Sequence, residues 1–437
     1  LFYNGSLEEI KEMISFSFIP LLGNFAILFI KEKDIPSFLT FPQVLYVELS
    51  RPIYENALTG IDASCFPDYN IVTGRNVNAT TLTGKGTAIA VLDSGVDYRH
   101  PDFRNVDGST RILAYWDQSL PFASFNKENT NSNSSNSDNF QYISTTNSQN
   151  NYIAADNRTN TRRNNVSKHS SAIDNPYNLG VIFSEEDLNR LLMPKSSSVP
   201  SDSSPFSVPD PVTELLSPSE DVSGHGTHIA GICSGNGRAS NGNSQGVAPE
   251  SSLIVVKLKN ETASVYTDYA NLMMAVDFAV RFANSRSLPL SINISYGSND
   301  GSHTGSSLLE LFMEQVSLYG KNVICAATGG LTRRHASLNT ISNQNTYDKS
   351  IDFTIAPGER SLYLEIWQTF ADDFFYELFS PSGLESFVFP AVPGIYAYMI
   401  ADTTIYLTIN NPTPYQPFRQ YFLSFSSNTT FITSGTW

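Results

Sequence analysis

Ala88-Ile89-Ala90-Val91-Leu92-Asp93-Ser94-Gly95-Val96-Asp97 is the stretch on which the fold turns. Five apolar residues run without interruption into an acid and then a glycine-containing turn. That pattern describes a strand buried on both faces, as in parallel sheets, with Asp93 at its carboxyl end. Open α/β sheets assemble their sites at such strand ends. Downstream, strand and helix patterns alternate: Leu253 to Leu258 extended, Thr267 to Ala283 helical, Leu290 to Ser295 extended, Ser306 to Leu318 helical, Val323 to Ala327 extended. This alternation predicts an α/β fold, a parallel sheet with helices on both faces. Leu272, Ala275, Val276 and Val280 recur at helical spacing and form the core stripe of the first long helix.

Different patterns flank this region. Residues 1–57 read as a small α+β unit. Ser6-Leu7-Glu8-Glu9 opens a short helix in capping-box style, Phe25 to Ile30 is extended, Pro36 to Leu39 is a second short helix, and Val44 to Leu49 is a closing strand. Residues 58–350 hold the α/β domain, interrupted at 118–220 by an insertion rich in Asn, Ser and Pro. Most of that insertion is expected to be flexible loop, because such composition buries too little apolar surface to order itself. Residues 351–437 turn aromatic and alternating, with short strands expected at Ser361 to Trp367, Phe374 to Leu378, Tyr396 to Ile400, Thr404 to Ile409 and Tyr421 to Phe425. Regular short strands separated by turns predict a β-sandwich.

The 437 residues are 41% hydrophobic and only 16% charged, and 42 acidic against 27 basic residues give a net charge of -15. That charge argues against nucleic acid or an anionic membrane as the main partner. Cys65, Cys233 and Cys325 form neither a disulfide framework nor a metal-type spacing, and Cys325, in an apolar run, is expected in the core. Phe16 to Ile30 is broken by Pro20, Gly23 and Asn24, so no membrane segment is read. No signal peptide is visible.

The second chemical element is Asp221-Val222-Ser223-Gly224-His225-Gly226-Thr227-His228. Small residues around His225 let the start of a helix pack closely beside an acid, with the imidazole aimed at a nucleophile. The plain alternative is a strand-end cap at Asp93 and a packed core histidine at His225. His228 is read as a packing residue, and a zinc site from His225 and His228 is discounted because it lacks further ligands and the i, i+4 spacing. Asp97, His100 and Asp102 are read as structural surface, and Asp372 with Asp373 as an exposed turn. No metal or cofactor is expected.

Asp93-Ser94-Gly95 followed by His225-Gly226-Thr227-His228 resembles the subtilase family of serine proteases, whose triad runs Asp, His, Ser along the chain. The resemblance implies that Asp93 orients the imidazole and that His225 is the general base. It implies that Ser295, Tyr296 and Gly297, ending the Leu290 strand, line the substrate cleft and pair with an extended peptide. Val323 to Gly330 resembles the strand leading to the oxyanion-hole asparagine, but Gly330 stands at that position. The third triad member is absent. Thr433-Ser434-Gly435-Thr436-Trp437 is rejected as the nucleophile motif, because the segment continues the sandwich pattern and no helix follows.

The resemblance is closest to Csp-type subtilases of clostridial spore germination, which carry a propeptide and a jelly roll inserted before the serine. It covers Tyr3-Asn4-Gly5, Phe41 to Glu48, Gly246 to Glu250 and Gly301-Ser302-His303. It implies a propeptide acting as chaperone and inhibitor with its last residues in the cleft, a cut within residues 50–65, and a serine about a hundred residues beyond Trp437. The expected function is thus a serine endopeptidase acting on a protein or peptide, spore-associated or extracellular, which this stretch alone would not perform. A non-catalytic regulator of the same fold is the alternative, and a carbohydrate-binding module explains neither motif.

Overall fold

The structure is a computed structural model and describes residues 1–55, 83–122, 175–193, 217–260, 266–327, 349–400, 402–427 and 430–437. Its centre is a six-stranded sheet in the order Asn322–Ala326, Leu290–Ile294, Ala88–Asp93, Ser252–Lys257, Ile112–Asp117, Val181–Ser184. The first five strands are parallel and the last is antiparallel to its neighbour. Every residue of Ala88–Asp93 is buried, so alternation along it assigns residues to two covered faces. Ala88, Ala90 and Leu92 pack with the Tyr269–Ser285 and Leu308–Ser317 helices. Ile89 and Val91 pack with Ala230 of the His225–Ser234 helix and Leu188 of the Glu185–Leu192 helix.

The amino-terminal unit has two antiparallel pairs, Phe2–Tyr3 with Val44–Tyr46 and Phe16–Pro20 with Ala26–Ile30, and a small core of its own around Leu7, Ile10 and Phe38. It docks on the two long helices. Leu21, Phe25 and Ile27 join the main core, Leu22 N–H donates to the buried Asp277 carboxylate at 2.8 Å, and Leu308 N–H donates to Glu48 at 2.7 Å. Glu48 thereby satisfies an orphan donor at a helix start and meets its positive end. Ser6 accepts from Glu8 N–H, yet the helix it opens is only Glu8–Lys11 and the box does not close.

One expectation is sharpened and two are corrected. Within the insertion the described part is ordered: Val181–Ser184 adds a strand to the sheet, Ser184 and Asp187 form a capping box, and Tyr177 stacks on Trp116 while donating to Asp277 at 2.8 Å. The apolar run Leu179 to Phe183 makes this possible, since it has a core to join. The Asn/Ser-rich stretches 123–174 and 194–216 lie outside the described residues. Cys325 is exposed, not core, because Asn322–Ala326 is the edge strand among the described residues. Finally, Thr267 does not begin the helix. Tyr266–Asp268 is extended and Asp268 caps the helix by accepting Asn271 N–H at 2.8 Å.

Past residue 350 a four-stranded antiparallel sheet, ordered Ser361–Thr369, Phe418–Ser427, Thr403–Asn410, Gly394–Ile400, covers a core of Ile405, Leu407, Tyr421, Leu423 and Phe425 together with the Glu377–Phe379 and Ser386–Val388 hairpin. Asp372 closes a turn, its N–H donating to Thr369 O and its carboxylate accepting from Thr369 Oγ1 at 2.6 Å, so the strand predicted from Phe374 begins only at Glu377. Gly435–Thr436 pairs with Thr354–Ile355, and Trp437 is buried against Phe425. No helix among the described residues is long and apolar enough to cross a membrane.

Candidate active site

Asp93 ends the central strand, fully buried, and its Oδ1 accepts Ser94 N–H at 2.7 Å. His225 opens the helix on the sheet's other side, 5% exposed, with Nδ1 2.6 Å from the same oxygen. A carboxylate only accepts, so Nδ1 carries the hydrogen of this bond and Nε2 is left as the basic nitrogen. Asp93 Oδ2 is buried with no hydrogen-bond partner among the described residues, so the imidazole and Ser94 N–H carry what compensation this desolvated carboxylate has.

The approach of helix to strand depends on glycine. A Cβ on Gly226 would fall deep inside the van der Waals radius of the Gly95 carbonyl oxygen and 3.0 Å from Asp93 Cβ. Both obstacles belong to the rigid strand end, so relief requires backbone movement. Gly226→Ala is expected to destabilise the fold by about 3 kcal/mol and to pull His225 off Asp93. Thermal melting followed by near-UV circular dichroism checks the first, and an unchanged melting temperature would show that the helix can shift freely.

Asp221, which opens the second sequence element without an assigned role, holds the helix start. Its carboxylate accepts Gly224 N–H at 3.1 Å, Thr227 N–H at 2.9 Å, Thr227 Oγ1 at 2.6 Å and Ser94 Oγ at 2.8 Å. Ser94 Oγ in turn accepts Gly226 N–H at 3.0 Å. Because Gly224, at φ +70°, has no side chain with which to cap, Asp221 supplies both the capping oxygen and the negative charge favoured at a helix start. An acid four residues before the histidine was the available signal.

The Tyr296–Gly297 strand pairs with the chain's own amino-terminal segment. Pro52–Glu55 runs antiparallel between it and Tyr266–Asp268, with Tyr296 opposite Glu55, Gly297 opposite Tyr54, and Thr267 opposite Ile53. Ile53 is 1% exposed and joins the main core, whereas Tyr54 is exposed. Ser295 is buried and accepts from Asn293 Nδ2 at 2.9 Å. Tyr266–Asp268 flanks Pro52–Glu55 on its other side, where the helical pattern from Thr267 conceals the extended Thr267 and Asp268. Gly330 lies outside the described residues.

The remaining candidates do not join the site. His228 is exposed, so it is no packing residue. His100 Nδ1 accepts Asp102 N–H at 3.3 Å, Asp102 Oδ1 accepts Ala239 N–H at 2.7 Å, and Asp97 Oδ1 accepts Arg99 N–H at 3.0 Å, all of them ties within surface loops. No group of metal-ligating side chains converges among the described residues. Cys233, on the same helix as His225, has its thiol pushed up to about 11 by burial, reinforced by Cys325 and Asp93, so it is no thiolate nucleophile near neutrality.

Residues 84–355 match the Subtilase family and residues 1–51 match the Csp protease B prodomain. Among solved structures the chain is similar to the Clostridium perfringens CspB protease, with 25% identity and a TM-score of 0.57 over 82% of this chain. It spans 61% of that protein's chain.

Proposed function

Because this chain belongs to the subtilase family, we propose that it serves a serine endopeptidase in which Asp93 and His225 are two members of the triad and the serine lies beyond Trp437. The serine hydroxyl attacks the peptide carbonyl while His225 Nε2 takes its proton. The same proton then passes to the leaving amine, and water repeats the sequence to release the acyl group. Asp93 holds the imidazole in the tautomer this requires. Ser295, Tyr296 and Gly297 line the cleft and pair with substrate backbone.

The observation that carries the reading is the antiparallel strand Pro52–Glu55 in that cleft. Tyr296 follows the Leu290–Ile294 strand, whose Ile294 is level with Leu92, so Glu55 is the end of the guest strand nearer Asp93. Residues 1–57 are then a propeptide, cut just past Glu55, within residues 50–65, and left in the cleft as product and inhibitor. A spore-associated zymogen is the external substrate suggested by the likeness to the Csp group.

Gly330 favours a second reading, a regulator that binds without turnover. Losing the oxyanion asparagine costs about 2.7–4 kcal/mol in subtilisin, for which this value is established. Self-cleavage tolerates such a loss better than cleavage of another protein does. A fluorophosphonate probe separates the two: the full-length protein is expected to be labelled on a serine carboxyl-terminal to Trp437 and to show a new amino terminus past Glu55. A protein that takes up no label and keeps its amino-terminal unit attached is the regulator.

A further inference from the structure

Arg51 lies just before the strand in the cleft, and its side chain reaches away from the α/β domain to the β-sandwich. Its Nη1 donates to Glu365 Oε1 at 3.0 Å and Oε2 at 3.3 Å, and its guanidinium lies 5.6 Å from the centre of the Trp367 ring. The Arg51 and Glu365 side chains are only 14% and 10% exposed. Glu365 is fixed before any guest arrives, because it also accepts from Gly301 N–H at 2.9 Å, Trp367 Nε1 at 2.8 Å and Gln420 Nε2 at 3.1 Å. Asp300 stands close enough for its acid to be raised by burial and by Glu365 and lowered by Arg51. Glu365 and Asp300, with an indole face beside them, make a half-buried negative wall that a cation stabilises, while the same guanidinium meets one further carboxylate, Glu48 of its own segment, at 3.4 Å.

We infer that Glu365 and Trp367 make an arginine-recognising subsite that extends the cleft onto the β-sandwich, so that external substrates carry Arg two residues before an aliphatic anchor, as Arg51 precedes Ile53. This rests on the reading that the cleft takes peptide substrates. Ile53 is buried in the main core of the α/β domain, and backbone pairing holds the residues around it without regard to sequence. The guanidinium adds a charge-assisted contact at one position, and Lys would replace the two-oxygen contact by a single point charge.

The test uses the full-length protein carrying an added protease site between residues 57 and 83, cut there and washed free of its own amino-terminal segment so that the cleft is open, and a fluorescent peptide spanning residues 49–58, with its Arg51→Gln and Arg51→Lys counterparts, measured by anisotropy for binding and by chromatography for cleavage. The Gln peptide is expected to bind about tenfold more weakly than the Arg peptide, with the Lys peptide between them. Glu365→Gln in the protein should reduce the difference between the Arg and Gln peptides to within about twofold. Changing the peptide leaves the protein's folding untouched. Equal binding of Arg and Gln peptides overturns the subsite whether or not either is cleaved, and so does a failure of both to bind. Discrimination without cleavage keeps the subsite and counts against the protease, and cleavage without discrimination does the reverse.

Discussion

Replacing His225 by alanine in the full-length protein is expected to lower kcat on a peptide substrate about a millionfold, the scale on which a triad fails when its base is removed. The base cannot be replaced from nearby. His228, three residues along the same helix, is exposed and outside the site, and the Cys233 thiol stays protonated near neutrality. The variant is also expected to keep residues 1–57 covalently attached, which a gel shows without any added substrate. Cleavage of the variant at the parental rate would mean that His225 is a packed helix-start residue and that the chemistry lies elsewhere.

The second large effect concerns Asp93. Asn at this position has almost the same volume, so the strand end, Ser94 and the helix start should be retained. What changes is the hydrogen-bonding sense at Nδ1. An amide nitrogen placed against Nδ1 donates to it, which moves the ring proton to Nε2, the nitrogen that must be free to take the serine proton. Asp93→Asn is therefore expected to lower kcat about ten-thousandfold with little change in KM. Steady-state kinetics on one peptide decide it. A rise in KM with kcat preserved would indicate instead that Asp93 shapes the cleft without orienting the base.

The two central residues of the site were legible because each sits in a local pattern with a physical cause. The uninterrupted apolar run before Asp93 required a doubly covered strand, and the small residues around His225 required a close approach. That they meet at 2.6 Å across 132 residues follows from the parallel order of the sheet, which alternating strands and helices already implied. Composition misled where it was averaged. The Asn- and Ser-rich insertion hid Tyr177 and the Leu179-to-Phe183 run, which the core recruits. Cys325 misled in the opposite way, since an apolar neighbourhood in sequence does not say whether a strand lies at the centre of a sheet or at its edge.

By itself, then, the sequence determined the alternating architecture, the strand-rich aromatic region, and which acid and imidazole the fold brings together, because periodicity and close-packing glycines act over one or two turns of chain. The tertiary structure alone decided which segment lies between Tyr266–Asp268 and Tyr296–Gly297 and what its flanking Arg51 meets. Pro52–Glu55 is held largely through backbone hydrogen bonds that almost any sequence can make, and Arg51 meets Glu365 across 314 residues. Contacts of those two kinds leave no period and no local signature, so they become visible only when the folded chain brings the partners together.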